Sequence, residues 1–165
     1  MGLVGFGRIG QAVARRLAGF EVTISVCDPE ITSADPYRLV SLGELMSWSD
    51  VVSIHCPLTA ATRGMIGERE FGLAKPGLVF INTARGGIVD EHALLAAIRS
   101  GTVAGAGLDV FAVEPPYESE LLEMENVTVS PHIAGLSERS METMLDLCID
   151  GVLAKLGVVA PSMFK

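Results

Sequence analysis

The stretch Gly2-Leu-Val-Gly-Phe-Gly-Arg-Ile-Gly10 constrains the fold more than any other part of this sequence. A short apolar run leads into Gly5-x-Gly7-x-x-Gly10, and a helix-like pattern follows. In such a turn the first glycine permits the tight bend. The second lets a pyrophosphate approach the backbone, and the third lets the helix pack close to the strand. The free N–H groups and positive end of that helix favour a diphosphate. Glycines also simply make turns, so the motif counts only in context, and here both flanks supply it. The helix is expected over Arg8–Gly19, with Ile9, Ala12, Val13 and Leu17 on one face and Gly19 as its stop. Val22–Cys27 reads as a second strand ending at Asp28, eighteen residues after Gly10. A carboxylate there can accept hydrogen bonds from an adenosine ribose.

The remainder alternates strand and helix. Helices are expected over 41–47, 68–73, 91–99 (capped by Asp90, stopped by Gly101) and about 137–156. Strands are expected over 50–55, 78–82, 103–110 and 127–129; the fully apolar Leu78–Ile81 suits a buried parallel strand. This alternation implies a parallel sheet covered on both faces, doubly wound by right-handed crossovers. Ligands of such sheets sit beyond the carboxyl ends of the strands. Asp28, His55, Thr83, Arg85, Asp109 and His132 all fall just past expected strand ends. The first strand is short for a central one, and the expectation drawn from this is a truncated chain. The tail from Gly157 is weakly patterned.

The chain's 165 residues suffice for one domain with a real core. A net charge of −8 without a Lys/Arg cluster argues against nucleic acid and against an anionic membrane surface. The same charge repels an anionic substrate, which then needs a local cation. No apolar run reaches membrane-spanning length. Cys27, Cys56 and Cys148 are odd in number and lack metal-ligand spacing, so no metal site is expected. Reduced thiols and the absence of a leader-like start give a cytoplasmic expectation.

Four further segments carry specific chemistry: Val52-Ser-Ile-His-Cys-Pro-Leu-Thr-Ala-Ala-Thr62, Ile81-Asn-Thr-Ala-Arg-Gly-Gly-Ile-Val-Asp-Glu91, Gly107-Leu-Asp-Val-Phe-Ala-Val-Glu-Pro115 and Ser130-Pro-His-Ile-Ala-Gly135. With Gly5–Gly10 and Asp28, they resemble the NAD-binding domain of the D-isomer-specific 2-hydroxyacid dehydrogenases. The resemblance runs from Gly2 to about Leu156. It implies a three-layer α/β/α NAD(P)-binding Rossmann fold over 1–156, a tail over 157–165 and a missing substrate domain.

The ionisable residues fit hydride chemistry on a keto acid. That reaction needs a cation for the substrate's carboxylate and carbonyl, and a proton donor for the new alkoxide. Arg85 offers a fork matching carboxylate geometry. His132 can give and take a proton near neutral pH. Glu114 can hydrogen-bond His132 and orient it. Taken singly, each has a plainer reading: a solvated loop arginine, a rim charge before two prolines, a satisfied loop histidine. The resemblance implies that Arg85, Glu114 and His132 are the catalytic trio.

The resemblance also implies the cofactor contacts. Gly5, Gly7, Arg8, Ile9 and Gly10 meet the pyrophosphate. Asp28 and Pro29 meet the ribose, favouring NAD over NADP. His55, Cys56 and Pro57 wall the adenosine half, and Thr62 lies near the phosphates. Thr83, Ala84 and Asp109 lie near the nicotinamide, although Asp109 alone would pass for a capping residue. Arg85, His132, Ala134 and Gly135 complete the set. The implied partner is a small 2-hydroxy or 2-keto acid of the glyoxylate, hydroxypyruvate, glycerate, lactate or 3-phosphoglycerate class, and the implied assembly a homodimer. Glu114 disfavours a formate dehydrogenase, which carries Gln there. A phosphite dehydrogenase, or an NAD(H)-sensing module like the C-terminal-binding corepressors, keeps the same trio and stays open.

Overall fold

A computed structural model describes residues 1–157. The expected tail lies outside them beyond Gly157. By their contacts these residues fall into two compact units, one spanning Met1–His132 and one beginning at Ile133.

The first unit is built on seven parallel strands in the order β3-β2-β1-β4-β5-β6-β7. These are β1 (Gly2–Val4), β2 (Ser25–Cys27), β3 (Arg38–Leu39), β4 (Val51–Ile54), β5 (Leu78–Asn82), β6 (Val103–Leu108) and β7 (Val127–Val129). Helices α1 (Arg8–Leu17), α2 (Leu42–Trp48), α3 (Glu68–Leu73) and α4 (Glu91–Arg99) connect them. This is the expected doubly wound α/β architecture, a Rossmann-like fold. The strand order reverses at β1, so the switch point lies between the carboxyl ends of β1 and β4.

Alternation along the strands sorts the core. Leu3 and Val26 join Phe6, Ala14 and Ile24 in a cluster against α1. Val4, Val52, Ile54, Leu78 and Phe80 join Leu45, Phe71 and Leu94 in a larger cluster against α2, α3 and α4. Phe71 and Phe80 meet edge to face with centroids 5.4 Å apart. Full burial of one such side chain stabilises by about 1.5–3 kcal/mol. Val79, on the other face of β5 from Phe80, remains 38% exposed.

Several expectations are corrected. The helix face is corrected in part: Val13 and Leu17 pack against the cluster around Leu3 as expected, but Ile9 is 66% exposed, and the buried positions are Gly10 and Ala14. The cause is local. A Cβ at Gly10 would lie 2.3 Å from the Gly5 carbonyl oxygen, so the helix leans on its glycine and turns Ile9 outward. Gly19 does not stop the helix. A single 3₁₀ turn over Ala18–Phe20 follows it, and Glu21 then reverses the chain at φ 56°. The second strand is half the expected length, because β1 offers it only three partners: Gly2, Leu3 and Val4. The two-residue β3 has no signal in the sequence. Its Arg38 stacks over the exposed Trp48 at 5.0 Å.

The second unit contains α5 (Glu138–Lys155). Ser137 caps it, accepting from the Ser140 amide at 3.2 Å while its own amide donates to the Ser140 hydroxyl at 2.8 Å. No residue of α5 is buried. No helix among the described residues is long and apolar enough to cross a membrane.

Candidate functional site

At the switch point the backbone itself makes a cradle. Gly5 turns the chain at φ 94°, and its amide donates to the Cys27 carbonyl at 2.8 Å. A Cβ on Gly5 would come within 2.6 Å of the Cys56 amide nitrogen, so the loops after β1 and β4 touch here. Gly7 caps α1 without any side-chain hydrogen bond, and a Cβ there would meet nothing within 4 Å. The three glycines thus divide the work: Gly5 and Gly10 serve packing, and Gly7 keeps a space open over free helix amides. Arg8 and Ile9 stand exposed at that rim.

Asp28 closes the cradle from the end of β2. Its Oδ2 accepts from the Phe6 amide at 2.7 Å, and its Oδ1 from the Glu30 amide at 2.9 Å. One carboxylate therefore braces the turn that follows β1 and still offers lone pairs outward. Pro29 beside it is exposed.

The loop after β4 forms the opposite wall. His55 is half-buried, its Nε2 has no hydrogen-bond partner among the described residues, and burial pushes the imidazole's pKa down. The Cys27 and Cys56 thiols are pushed up, chiefly by burial and in part by Asp28, which fits apolar filler rather than reactive thiolates. Thr62 donates to the Pro57 carbonyl at 2.6 Å and accepts from the Thr59 amide at 2.8 Å, so its hydroxyl closes its own loop.

Beyond β5 the key group is one that the sequence did not single out. Asn82, 1% exposed, accepts from the Ala84 amide at 3.1 Å and donates to the Arg85 carbonyl at 3.0 Å. This clamp sets the path of Thr83–Arg85. An Asn closing an apolar strand ahead of a small-residue turn is the available signal, since Asn bonds backbone two residues on. Arg85 is exposed, and its Nη1 donates to the Ala84 carbonyl at 2.6 Å. Gly86 then presses on the next strand's exit: a Cβ would fall 1.9 Å from the Phe111 carbonyl carbon.

Beyond β6 and β7 the structure joins the other expected residues directly. Glu114 Oε2 and His132 Nδ1 are 2.9 Å apart, and Glu114 Oε1 accepts from the Phe111 amide at 3.0 Å. The hydrogen bond with His132 and that from Phe111 hold the Glu114 carboxyl below its ordinary pKa. His132 sits at φ 54°, with its amide donating to the Asp109 carbonyl at 2.9 Å. Asp109, 3% exposed, accepts from the Ser130 hydroxyl at 2.5 Å. A cleft of about 390 Å³ opens beside the pair, its walls including Phe111, Pro115, Leu122 and Val129. Among the described residues no cluster suits a metal ion.

Gly5, Gly7, Asp28 and His55 thus meet around one switch point, and Asp109, Glu114 and His132 around another pair of strand ends. Arg85 is linked to the latter through Gly86 rather than by its guanidinium. Ala134 and Gly135 are residues of the second unit.

Residues 1–134 match the family described as D-isomer specific 2-hydroxyacid dehydrogenase, NAD binding domain. The chain belongs to this family. This NAD-binding domain is 42% identical over 168 residues to a glyoxylate reductase of Thermococcus litoralis, covering 99% of this chain and 51% of that protein. It is 41% identical over 163 residues to a hydroxypyruvate reductase of Thermotoga maritima, covering 96% and 53%. The solved structure of the TT0316 protein from Thermus thermophilus superposes with a TM-score of 0.89 at 40% identity, covering 97% of this chain and 51% of that one. The NAD-binding domain spans about half the length of the curated relatives it matches.

Proposed function

We propose that this chain is the cofactor-holding part of an NAD-dependent dehydrogenase of small 2-hydroxy acids, working in the direction of glyoxylate or hydroxypyruvate reduction. The observation that carries the reading is the Glu114–His132 pair at 2.9 Å, set at the strand ends of a sheet whose switch point has an open glycine over an uncapped helix. The names of the glyoxylate and hydroxypyruvate reductases among its relatives support the substrate class.

The residues fit a dinucleotide. The α1 amides beside Gly7 would take the pyrophosphate, and Asp28 the adenosine ribose. A nicotinamide dinucleotide, when bound, supplies or accepts the hydride. In this reading His132 holds the proton exchanged with the substrate oxygen, and Glu114 bonds Nδ1 so that Nε2 faces the substrate. Arg85 would leave the Ala84 carbonyl to meet the acid's carboxylate, a cation that a chain of net charge −8 needs locally. The bond between Asp28 and the Phe6 amide fixes a carboxylate where a 2′-phosphate would stand, which supports NAD over NADP.

Titration of the purified chain with NADH, followed by its fluorescence, tests the cofactor assignment. Saturable binding that Gly7→Ala weakens is expected. A linear, unsaturating response into the millimolar range would overturn it. Glyoxylate and hydroxypyruvate, offered with NADH, test the chemistry: any turnover should vanish in His132→Gln.

A further inference from the structure

The turn that presents Glu114 is gripped from two sides by the segment that carries Arg85. On one side Gly86 lies so close to Phe111 and Ala112 that no Cβ fits between them. On the other, the Ala112 amide donates to Glu91 Oε1 at 2.6 Å. Glu91 is the first residue of α4, half-buried, and Asp90 beside it caps that helix by accepting from the His92 and Ala93 amides. The first two amides of the turn after Val110 therefore both end on carboxylates: Phe111 on Glu114, Ala112 on Glu91. An amide bonded to a carboxylate is among the stronger hydrogen bonds a backbone makes.

We propose that Glu91 is a positioning residue: by holding the Ala112 amide it fixes the Phe111–Glu114 turn, and so the aim of Glu114 at His132. The proposal rests on the dehydrogenase reading for its purpose, but not for its geometry. Glu91 touches neither imidazole nor guanidinium. It acts through the turn, and because it follows Arg85 by six residues on one short segment, it ties the two halves of the site together.

The groups that face Glu114 are His132, which favours its ionised form, and Asp109, which opposes it; the Phe111 amide also favours it. If Glu91 lets go, the turn relaxes and Glu114 loses part of its bonds to Phe111 and His132. Its carboxyl then titrates at higher pH, toward the ordinary glutamate value.

The test compares the unmodified chain with Glu91→Ala and Glu91→Gln, following the Glu114 side-chain carboxyl by carbon NMR across an acid titration and the Ala112 amide by hydrogen exchange. Glu91→Ala should raise the Glu114 midpoint and speed Ala112 exchange about tenfold or more. Glu91→Gln keeps an acceptor oxygen and should restore most of both. An unmoved Glu114 midpoint in Glu91→Ala, or identical midpoints for the Ala and Gln variants, would overturn the proposal. If the Ala variant fails to fold, Glu91→Leu, which removes the acceptor while keeping much of the side chain's bulk, takes its place: a raised Glu114 midpoint supports the proposal, and an unchanged midpoint refutes it. None of these readouts needs cofactor, so failure to bind NADH would defeat the functional reading and leave this result standing.

Discussion

Glu114 shares one carboxylate between two structural tasks: Oε1 holds the Phe111 amide at 3.0 Å while Oε2 meets His132 Nδ1 at 2.9 Å. The residue that orients the imidazole is thereby oriented by its own turn. Neither oxygen can swing away without breaking a second bond.

The pH dependence follows from that arrangement. The folded protein holds Glu114 below its unfolded pKa, first through the bond with His132. A depressed carboxyl pKa contributes stability that is full above the unfolded value of about 4.3 and is lost as pH falls through the lower folded value. The stability gap between the native chain and Glu114→Gln should therefore be wide at neutral pH and narrow at an acid pH well below the ordinary glutamate value. Urea midpoints at the two pH values check this; a gap that widens in acid would contradict it.

Gly7 and Gly10 should respond oppositely to the same substitution. Gly7→Ala meets open space at φ −70°, so stability should change by under about 1 kcal/mol, the scale of an N-cap exchange, while NADH affinity falls about tenfold or more. Gly10→Ala puts a methyl 2.3 Å from the Gly5 oxygen and should cost at least about 2 kcal/mol of folding stability. Thermal melts paired with NADH titrations separate the two.

Gly86→Ala should prove more damaging still. The clash is with the backbone of Phe111, which no rotamer change relieves. A loss of about 3 kcal/mol is expected, with the Arg85 and Glu114 segments displaced together. Chemical denaturation gives the first number, and amide chemical shifts at Ala84 and Ala112 test the second claim.

Asn82→Ala removes both bonds of a buried clamp and leaves the Ala84 amide and the Arg85 carbonyl without their partner. A destabilisation of about 1–3 kcal/mol follows. Asn82→Asp keeps the acceptor for Ala84 but turns a buried carboxylate oxygen toward the Arg85 carbonyl, and should cost at least as much as the Ala variant. Denaturation of the three proteins in parallel decides the order.

Much of the fold is legible in the sequence because its signals are periodic. Leu78–Ile81 reads as a parallel strand from composition, and Asp90 as a cap from side-chain chemistry; each stands where expected. Apolar spacing misplaces Ile9 because it cannot register a glycine that brings helix and strand into backbone contact. β3 is invisible because two residues of strand carry no period. At the site, Glu114 and His132 are found through their motifs, whereas Asn82, Gly86 and Glu91 do not stand out as actors. Their roles rest on bonds and contacts to main-chain atoms of segments two to twenty-six residues distant, and spacing along the chain does not display such contacts.

The bond from Phe6 to Asp28 has a bearing on coenzyme engineering. A designer seeking NADPH use would first remove that acid to admit a phosphate. Here the acid also tethers the turn after β1, the seat proposed for the diphosphate, so its removal would slacken the seat that both coenzymes would use. Exchange to Asn, which drops the charge yet retains an oxygen for the Phe6 amide, is the route that spares the seat.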